Sequence, residues 1–311
     1  MTSTVHVPIM VEPILDALIA PFRQLPESAP PHYVIDCTLG GGGHAAAFLE
    51  AFASDPLLSK HRLLGIDQDP EAIARARVRF EKELSTGQLE LVQAQFSELG
   101  SILQESRRPA LGILADLGFS SDQLNDAERG LSFQSDGPLD MRLNPSQGIS
   151  CRDLLARTTE QELVKILSEY GEERFSNRIA KAIMDVRRKT GVPRTTRELA
   201  DLIVRSVPPP ARHGRIHAAT RTFQALRIAV NGELEQLDSL LEHAILQLQP
   251  GGRVAVLSFH SLEDRKVKLA FRGENFKVLT KKPLEADEAE VRRNSRSRSA
   301  KLRIAEKEGS C

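Results

Sequence analysis

The chain is poor in the residues that mark secreted, membrane and zinc-binding proteins. It has no tryptophan and only three cysteines among 311 residues. Cys37, Cys151 and Cys311 lie far apart, without the spacing of a metal site or a disulfide framework, which indicates a reducing compartment. No apolar run is long enough to cross a membrane, and no basic segment precedes an apolar one at the N-terminus. We therefore expect a cytoplasmic protein that holds no metal and does not enter a membrane.

The chain also lacks a net charge, with 42 basic and 42 acidic residues, yet its charge is distributed unevenly. Residues 174–221 contain 12 lysines or arginines and three acids, and residues 292–303 contain six basic residues and no acid. Segregated positive charge is typical of phosphate binding, although a solvated helix face or a basic tail produces the same pattern. Charge alone therefore leaves a nucleic-acid partner open.

A glycine-rich turn is the clearest sign of a binding site. Residues 36–44 read Asp-Cys-Thr-Leu-Gly-Gly-Gly-Gly-His and follow the apolar run at residues 33–35. A turn of this kind between a strand and a helix lets the backbone touch a nucleotide-like ligand. Gly40, Gly42 and Ala45 also fit the dinucleotide fingerprint, and a turn that only brings a helix close to a strand has the same composition. The turn therefore indicates where a ligand binds but does not identify the ligand.

Strand-like and helix-like segments alternate in the first and last thirds of the chain. Seven short apolar runs have the length of buried strands, at residues 33–36, 63–67, 89–92, 111–116, 254–257, 276–279 and 301–304. Their β-then-α order predicts an α/β fold with a mostly parallel seven-stranded sheet.

The middle of the chain carries helix signals and no strand signals. Thr159 with Glu162, and Thr195 with Glu198, have the spacing of capping boxes. We expect a discontinuous α/β domain of residues 1–124 and 216–311, with a helical domain inserted at residues 125–215. A long helix over residues 220–248, broken near Gly232, should bring the chain back to the sheet.

Three acidic residues end predicted strands. Asp36, Asp67 and Asp116 should lie together, because ligands of a doubly wound sheet bind at the carboxyl ends of its strands. Asp67 has the position of a carboxylate that binds the ribose hydroxyls of an adenosine, and a turn-forming role is the alternative. Phe96, after the third strand, suits either an adenine face or the apolar core.

Beyond these single features, a set of motifs resembles the RsmH (MraW) family. The motifs, in chain order, are His6-Val-Pro-Ile-Met, the glycine turn of residues 36–44, Gly65-Ile-Asp-Gln-Asp-Pro, Asp116-Leu-Gly-Phe-Ser-Ser-Asp-Gln-Leu, Gly130-Leu-Ser-Phe, Leu139-Asp-Met-Arg, Thr222-Phe-Gln-Ala-Leu-Arg-Ile-Ala-Val-Asn and Ser258-Phe-His-Ser-Leu-Glu-Asp-Arg. Members of this family are S-adenosylmethionine-dependent methyltransferases that modify N4 of a cytidine in bacterial 16S ribosomal RNA.

The resemblance implies a Rossmann-like methyltransferase domain carrying a helical substrate-recognition insertion. It also implies that S-adenosylmethionine is the cofactor, cytidine 1402 of the decoding centre is the target, and 16S rRNA within the small ribosomal subunit is the partner. A monomer and a homodimer are both open. The cofactor site that it implies consists of Gly42, Gly43, His44, Asp67, Phe96, Asp116 and Gln123.

The reaction needs a proton acceptor, because the cytosine amine is a weak nucleophile that loses a proton as the bond forms. We hypothesise that Asp116 or a neighbouring carbonyl accepts the amine hydrogen bond and that Phe119 stacks on the base; a role of Asp116 in placing the cofactor is the alternative. His260 with Glu263 or Asp264 has two interpretations, a proton relay or a structural hydrogen-bond network. The same two interpretations apply to His6.

Charge position suggests the RNA contacts. The predicted contacts are Arg142, Arg178, Arg187, Arg188, Arg215, Arg296, Arg298 and Lys301.

Two other functions would explain part of these sequence features. A nicotinamide-dependent oxidoreductase would explain the glycine turn and Asp67 but not the basic segments, and a non-catalytic rRNA-binding assembly protein would explain the basic segments.

Overall fold

The computed structural model describes residues 8–106, 109–212, 214 and 216–309. The chain forms two compact units. The first ends at Ser120 and resumes at Leu234, and the second is Ser121–Glu233. Within the described ranges, no helix combines the length and apolar character that a membrane crossing requires.

A seven-stranded sheet forms the centre of the first unit, in the order β3-β2-β1-β4-β5-β7-β6. Strand β7 runs antiparallel to both of its neighbours, and β3, β2, β1, β4 and β5 pair in parallel. The prediction of a mostly parallel seven-stranded sheet is confirmed. The strands are β1 Tyr33–Asp36, β2 Arg62–Asp67, β3 Leu89–Gln93, β4 Ala110–Asp116, β5 Leu248–Ser258, β6 Phe276–Val278 and β7 Lys301–Lys307.

Helices cover both faces of this sheet, so its inner strands are apolar on both sides. Val34 lies in one buried cluster and its neighbour Ile35 in the other, because successive side chains of a strand point to opposite faces. The helices of this unit are α1 Val11–Arg23, α2 Gly43–Ser54, α3 Pro70–Arg79, α4 Glu81–Ser85, α5 Leu99–Ser106, α13 Glu233–Gln247, α14 Ser261–Ala270 and α15 Glu288–Arg293, with 3₁₀ turns at Phe96–Glu98 and Ser295–Ser299.

The second unit is helical among its described residues. Its helices are α6 Ser121–Asn125, α7 Cys151–Arg157, α8 Glu160–Gly171, α9 Ser176–Thr190, α10 Thr196–Ser206, α11 Pro209–Arg212 and α12 Thr220–Asn231, with a 3₁₀ turn at Ala127–Arg129. Thr159 and Glu162 form the predicted capping box of α8. Thr195 caps α10, but Glu198 accepts its hydrogen bond from the backbone of Arg194 rather than closing the box.

The second unit extends beyond the predicted insertion of residues 125–215, because α12 belongs to it. The α12 backbone passes so close to Gly171 of α8 that a Cβ there would lie 2.6 Å from the carbonyl oxygen of Arg221. Asn231 then donates to the carbonyl oxygen of Met141 at 2.8 Å. The predicted break at Gly232 is present, with φ of 60°, and it separates α12 from α13.

Candidate active site

Three carboxyl groups meet at one edge of the sheet in the first unit. Asp36, Asp67 and Asp116 are the last residues of β1, β2 and β4, and β1 lies between the other two strands. Since these strands are parallel, their carboxyl ends share an edge, as the sequence predicted. This is the edge at which a doubly wound sheet binds ligands.

The glycine turn leads from β1 into α2 along this edge. Gly40 and Gly42 have φ of 52° and 72°, in the left-handed region that favours glycine. A Cβ at Gly42 would lie 2.8 Å from the ring of Phe80, and one at Gly43 would lie 2.8 Å from Pro8. The last two glycines therefore let this chain pack on itself, whereas the nearest atom to a Cβ at Gly40 is at an ordinary 3.6 Å.

Asp67 ties the glycine turn to β2. One carboxylate oxygen accepts a hydrogen bond from the backbone N–H of Gly40 at 2.7 Å, and the other accepts from that of Asp69 at 2.9 Å. Burial raises the pKa of Asp67 to about 6. The N-cap of α3 is Asp69, whose carboxylate accepts from the N–H of Glu71. The turn-forming role is thus present, and a ribose contact remains a prediction for the lone pairs that Asp67 still offers.

His44 lies buried in the first turn of α2, beside Asp116. Its Nε2 atom is 2.9 Å from the carbonyl oxygen of Ile9, and its Nδ1 atom is 3.8 Å from Oδ2 of Asp116. Because a carbonyl oxygen only accepts, Nε2 must carry a proton. His44 therefore turns its Nδ1 atom toward the carboxyl group of Asp116.

Thr38, which the sequence analysis did not single out, links the backbone of Asp116 to the carboxyl group of Asp36. Its hydroxyl oxygen accepts from the backbone N–H of Asp116 at 2.6 Å, and its own N–H donates to Asp36 at 3.1 Å. Burial raises the pKa of Asp36 to about 6, while the charge of His44 opposes the rise. A hydroxyl residue directly beyond a strand end was the available signal, although many such residues only form turns.

Asp116 has the most perturbed carboxyl group of the three. Burial raises its pKa to about 7, the positive charge of Arg296 opposes this rise, and the negative charge of Glu263 adds to it. A group with a pKa near neutrality is present in both protonation states at physiological pH, as a general base requires. The site therefore contains an acid–base group beside a histidine.

Arg296, predicted as a phosphate contact, instead points into the protein. Its Nη2 atom donates to the backbone carbonyl oxygen of Phe119. Its guanidinium carbon lies 5.2 Å from the centre of the Phe119 ring, within the range of a cation–π interaction. A phosphate contact of Arg296 stays a prediction, and a charge run in the sequence does not show which side chains also have partners within the protein.

Two other predicted phosphate contacts are engaged within the second unit. Both nitrogens of the Arg142 fork bind Asp140, at 2.8 and 2.7 Å. Nη1 of Arg187 caps the end of α7 by donating to three carbonyl oxygens, those of Leu155, Ala156 and Thr158, at 2.9, 3.2 and 2.7 Å. These contacts stabilise the unit itself, and RNA contacts of Arg142 and Arg187 stay predictions.

The remaining predicted RNA contacts include side chains that are more accessible to RNA than Arg142 and Arg187. Arg178 and Arg298 are exposed. Arg188 is exposed but pairs with Asp185 at 2.5 Å, and Lys301 lies 3.8 Å from Asp264. Arg215, like His6, lies outside the described residues.

A basic cavity in the first unit was not predicted from the sequence. It has a volume of about 230 Å³, and its lining includes Lys268, Arg272, Lys281 and Arg303. No acid belongs to the lining in the described part of the chain. Its cations come from α14, β7 and the loops beside β6, so no charge run in the sequence marks them.

The contacts of the residues after β5 favour the structural network over a proton relay. His260 and Glu263 form the capping box of α14, and Glu263 also accepts from the N–H of Phe259 at 2.8 Å. Asp264 binds Arg303 with both oxygens, at 2.6 and 3.2 Å. These acids therefore hold α14 and β7 in place.

Two further residues, Phe96 and Gln123, were predicted to contact the cofactor. Phe96 opens the 3₁₀ turn Phe96–Glu98 and is half-buried against the cluster that contains Ile35. Gln123 is buried in α6 of the second unit. The adenine contact of Phe96 and the cofactor contact of Gln123 remain predictions.

Comparison with known proteins decides the family. The MraW methylase family profile matches residues 3–308. This chain belongs to the MraW methylase family. Ribosomal RNA small subunit methyltransferase H of Heliobacterium mobile is 42% identical over 97% of this chain and 98% of its own length. The protein of the same name from Prochlorococcus marinus (strain MIT 9303) is 48% identical over 93% of this chain and 90% of its own length.

The family assignment confirms the resemblance seen in the sequence. It favours a methyl donor over the nicotinamide interpretation of the glycine turn. Among solved structures, an rRNA methylase from Streptococcus thermophilus is similar to this chain with a TM-score of 0.42, 11% identity, and coverage of 93% of this chain and 92% of that one. The fold assignment itself rests on the strand order of the sheet.

Proposed function

We propose that this protein transfers a methyl group from S-adenosylmethionine to N4 of a cytidine in 16S ribosomal RNA, at position 1402. The observation that carries the proposal is Asp116, a carboxyl group with a pKa near 7 at the carboxyl end of β4, within a chain of the MraW methylase family. Its curated relatives bear the name of small-subunit rRNA methyltransferases, which supports the RNA substrate. Such a substrate places the protein in the cytoplasm.

The carboxyl groups at the sheet edge suit a cationic methyl donor. Burial raises the pKa values of Asp36, Asp67 and Asp116 to about 6, 6 and 7. Within the described part of the chain, no hydrogen-bond partner reaches Oδ2 of Asp36. A positive charge beside these groups would favour their ionised forms. S-adenosylmethionine carries that charge on its sulfonium and supplies the methyl group.

We infer the cofactor contacts from the positions of the motif residues. The turn containing Gly42 and Gly43 would face the cofactor beside His44, and Asp67 would accept from its ribose hydroxyls. Phe96 would lie against the adenine, and the cofactor contact of Gln123 stays a prediction from its motif. Asp116 would lie closest to the reacting groups, because its neighbours are His44, a predicted cofactor contact, and Phe119, which is predicted to stack on the target base.

In this proposal, Asp116 accepts the proton that the cytosine amine loses. The amine lone pair is delocalised into the ring, so the base must be held in position and its proton must be accepted. Phe119, three residues further along the same loop, is half-buried and offers an aromatic face to an extruded base.

Cations of both units would bind the RNA backbone. The basic cavity, Arg298 and Lys301 lie in the first unit, and the exposed Arg178 and Arg188 lie in the second, as Arg215 does by its position in the chain. A neutral protein with local positive charge binds RNA where those charges lie, rather than indiscriminately.

Small ribosomal subunits from cells that lack this protein would test the function. The purified protein is incubated with these subunits and S-adenosylmethionine carrying a labelled methyl group, and the RNA is digested to nucleosides for mass analysis. We expect label in N4-methylcytidine. Binding of the subunit without transfer of label would instead support the non-catalytic assembly protein.

A further inference from the structure

Arg296 is held in place by the short segment that carries it. This segment, Ser295–Ser299, directly precedes β7, and Asn294 caps it by accepting from the backbone N–H of Arg296 at 3.2 Å. The Ser297 side chain is buried and donates to the carbonyl oxygen of Asn294 at 2.8 Å. The backbone that positions Arg296 is therefore fixed by its own hydrogen bonds.

The side chain of Arg296 contacts Phe119 in two ways. It donates to the carbonyl oxygen, which fixes the backbone of the loop beyond β4, and it lies over the aromatic ring. Arginine is suited to this double contact because its planar guanidinium group both donates several hydrogen bonds and stacks on aromatic faces. A residue far along the chain thus holds the aromatic side chain that follows Asp116.

Arg296 also provides a positive charge near Asp116. The charged and titratable groups around Asp116 come from several elements: His44 of α2, Asp36 of β1, Glu263 of α14 and Arg296 itself. Burial and Glu263 favour the protonated form of Asp116, and Arg296 favours the ionised form. The ionised form is the one that can accept a proton from a substrate.

We propose that Arg296 is a positioning residue of the methyl-transfer site, which anchors Phe119 against the target base and places a positive charge beside Asp116. This inference rests on the proposed methyl transfer for its purpose. The contacts between Arg296 and Phe119, however, are present in the protein without substrate. The inference also gives one arginine of the basic segment at residues 292–303 a function other than phosphate binding.

Three variants test this role. R296Q keeps a hydrogen-bond donor for Phe119 but removes the charge, R296K keeps the charge but loses the planar fork, and R293Q removes an exposed arginine of α15 as a matched control. The Asp116 carboxyl group is followed by carbon NMR in the free protein, with D116N to assign its signal. Each variant is also assayed for kcat/KM of methyl transfer across pH.

We expect R296Q to move the titration midpoint of Asp116 about one pH unit higher, because an opposite charge has been lost. The acid limb of its kcat/KM profile should move in the same direction, with about a fivefold loss of kcat/KM at pH 7. R296K should keep the midpoint of the unchanged protein with an intermediate kcat/KM, and R293Q should match the unchanged protein in both measurements.

The inference is wrong if R296Q shows the same midpoint and profile as R293Q. It is also wrong if R296K shifts the midpoint as far as R296Q, because charge would then not be the cause. Should R296Q fail to fold, the R296K result still decides, since only a positioning role predicts an unchanged midpoint with reduced transfer. Absence of transfer by the unchanged protein would defeat the proposed function and leave the NMR comparison valid.

Discussion

The Nδ1 atom of His44 lies 3.8 Å from a carboxylate oxygen of Asp116. At this distance the contact is electrostatic rather than a hydrogen bond. The opposite ring nitrogen of His44 is held by the carbonyl oxygen of Ile9, which keeps Nδ1 turned toward the carboxyl group. The carboxyl group of Asp116 therefore has an imidazole beside it.

Asp116→Asn should separate catalysis from cofactor binding. The amide keeps the shape of the side chain but cannot take a proton from the cytosine amine. We expect kcat to fall by about 10²-fold or more, the lower range for a general base, while the affinity for S-adenosylmethionine falls much less, because the carboxyl groups of Asp36 and Asp67 remain. Isothermal titration and single-turnover transfer measure the two quantities. Unchanged turnover with unchanged affinity would remove Asp116 from the chemistry.

The charge of the methyl donor should make its binding dependent on pH. Burial raises the pKa values of Asp36, Asp67 and Asp116, and a sulfonium beside them favours their ionised forms. The affinity for S-adenosylmethionine should therefore increase as pH rises from about 5 to 8, with release of protons. S-adenosylhomocysteine lacks the sulfonium charge and is the control. Equal pH dependence of the two ligands would contradict this explanation.

Asp36→Asn should change how the stability of the free protein depends on pH. The folded pKa of Asp36 is raised from 3.8 to about 6 by burial, so folding favours its protonated form. This contribution is present below about pH 4 and is lost as pH rises through about 6, at a cost of about 3 kcal/mol.

The variant has no proton to lose at this position. Its free energy of unfolding, measured by urea denaturation, should therefore decline less than that of the unchanged protein between pH 4 and 8. Parallel curves for the two proteins would show that Asp36 does not titrate as the structure indicates.

The basic cavity should contribute to RNA binding. Lys268→Ala with Lys281→Ala removes two of its charges, and Arg77→Ala with Lys82→Ala removes two exposed charges elsewhere in the first unit. Each lysine that contacts a phosphate should lower the salt dependence of binding, the slope of log K against log salt concentration, by about 1. Filter binding of 16S RNA over a salt series measures the slopes. Identical slopes for the two double variants would exclude the cavity from the interface.

Much of the fold was predictable because its signals are local. The apolar run at residues 33–36, the Asp69-Pro70 pair that starts α3 and the break at Gly232 all act within a few neighbouring residues. The boundary of the second unit was not predictable in this way. It depends on α12 packing against α8, a contact between residues distant in sequence.

The candidate site likewise contains residues that local signals predict and residues that depend on long-range contacts. Asp36, Asp67 and Asp116 were predictable because a parallel sheet brings its strand ends to one edge. The internal contacts of Arg296 and Arg187 were not predictable, because a sequence shows where charge lies along the chain and not which way a side chain points. Their partners, Phe119 and the carbonyl end of α7, are long-range contacts that only the folded chain reveals.

The most direct test of the account is the location of the methyl group that this protein adds. Small subunits from cells lacking the protein are treated with S-adenosylmethionine and either the unchanged protein or D116N, and the 16S RNA is mapped by mass spectrometry. The account predicts a new methyl group on N4 of cytidine 1402 with the unchanged protein and far less with D116N. A methyl group elsewhere, or equal modification by both proteins, would contradict it.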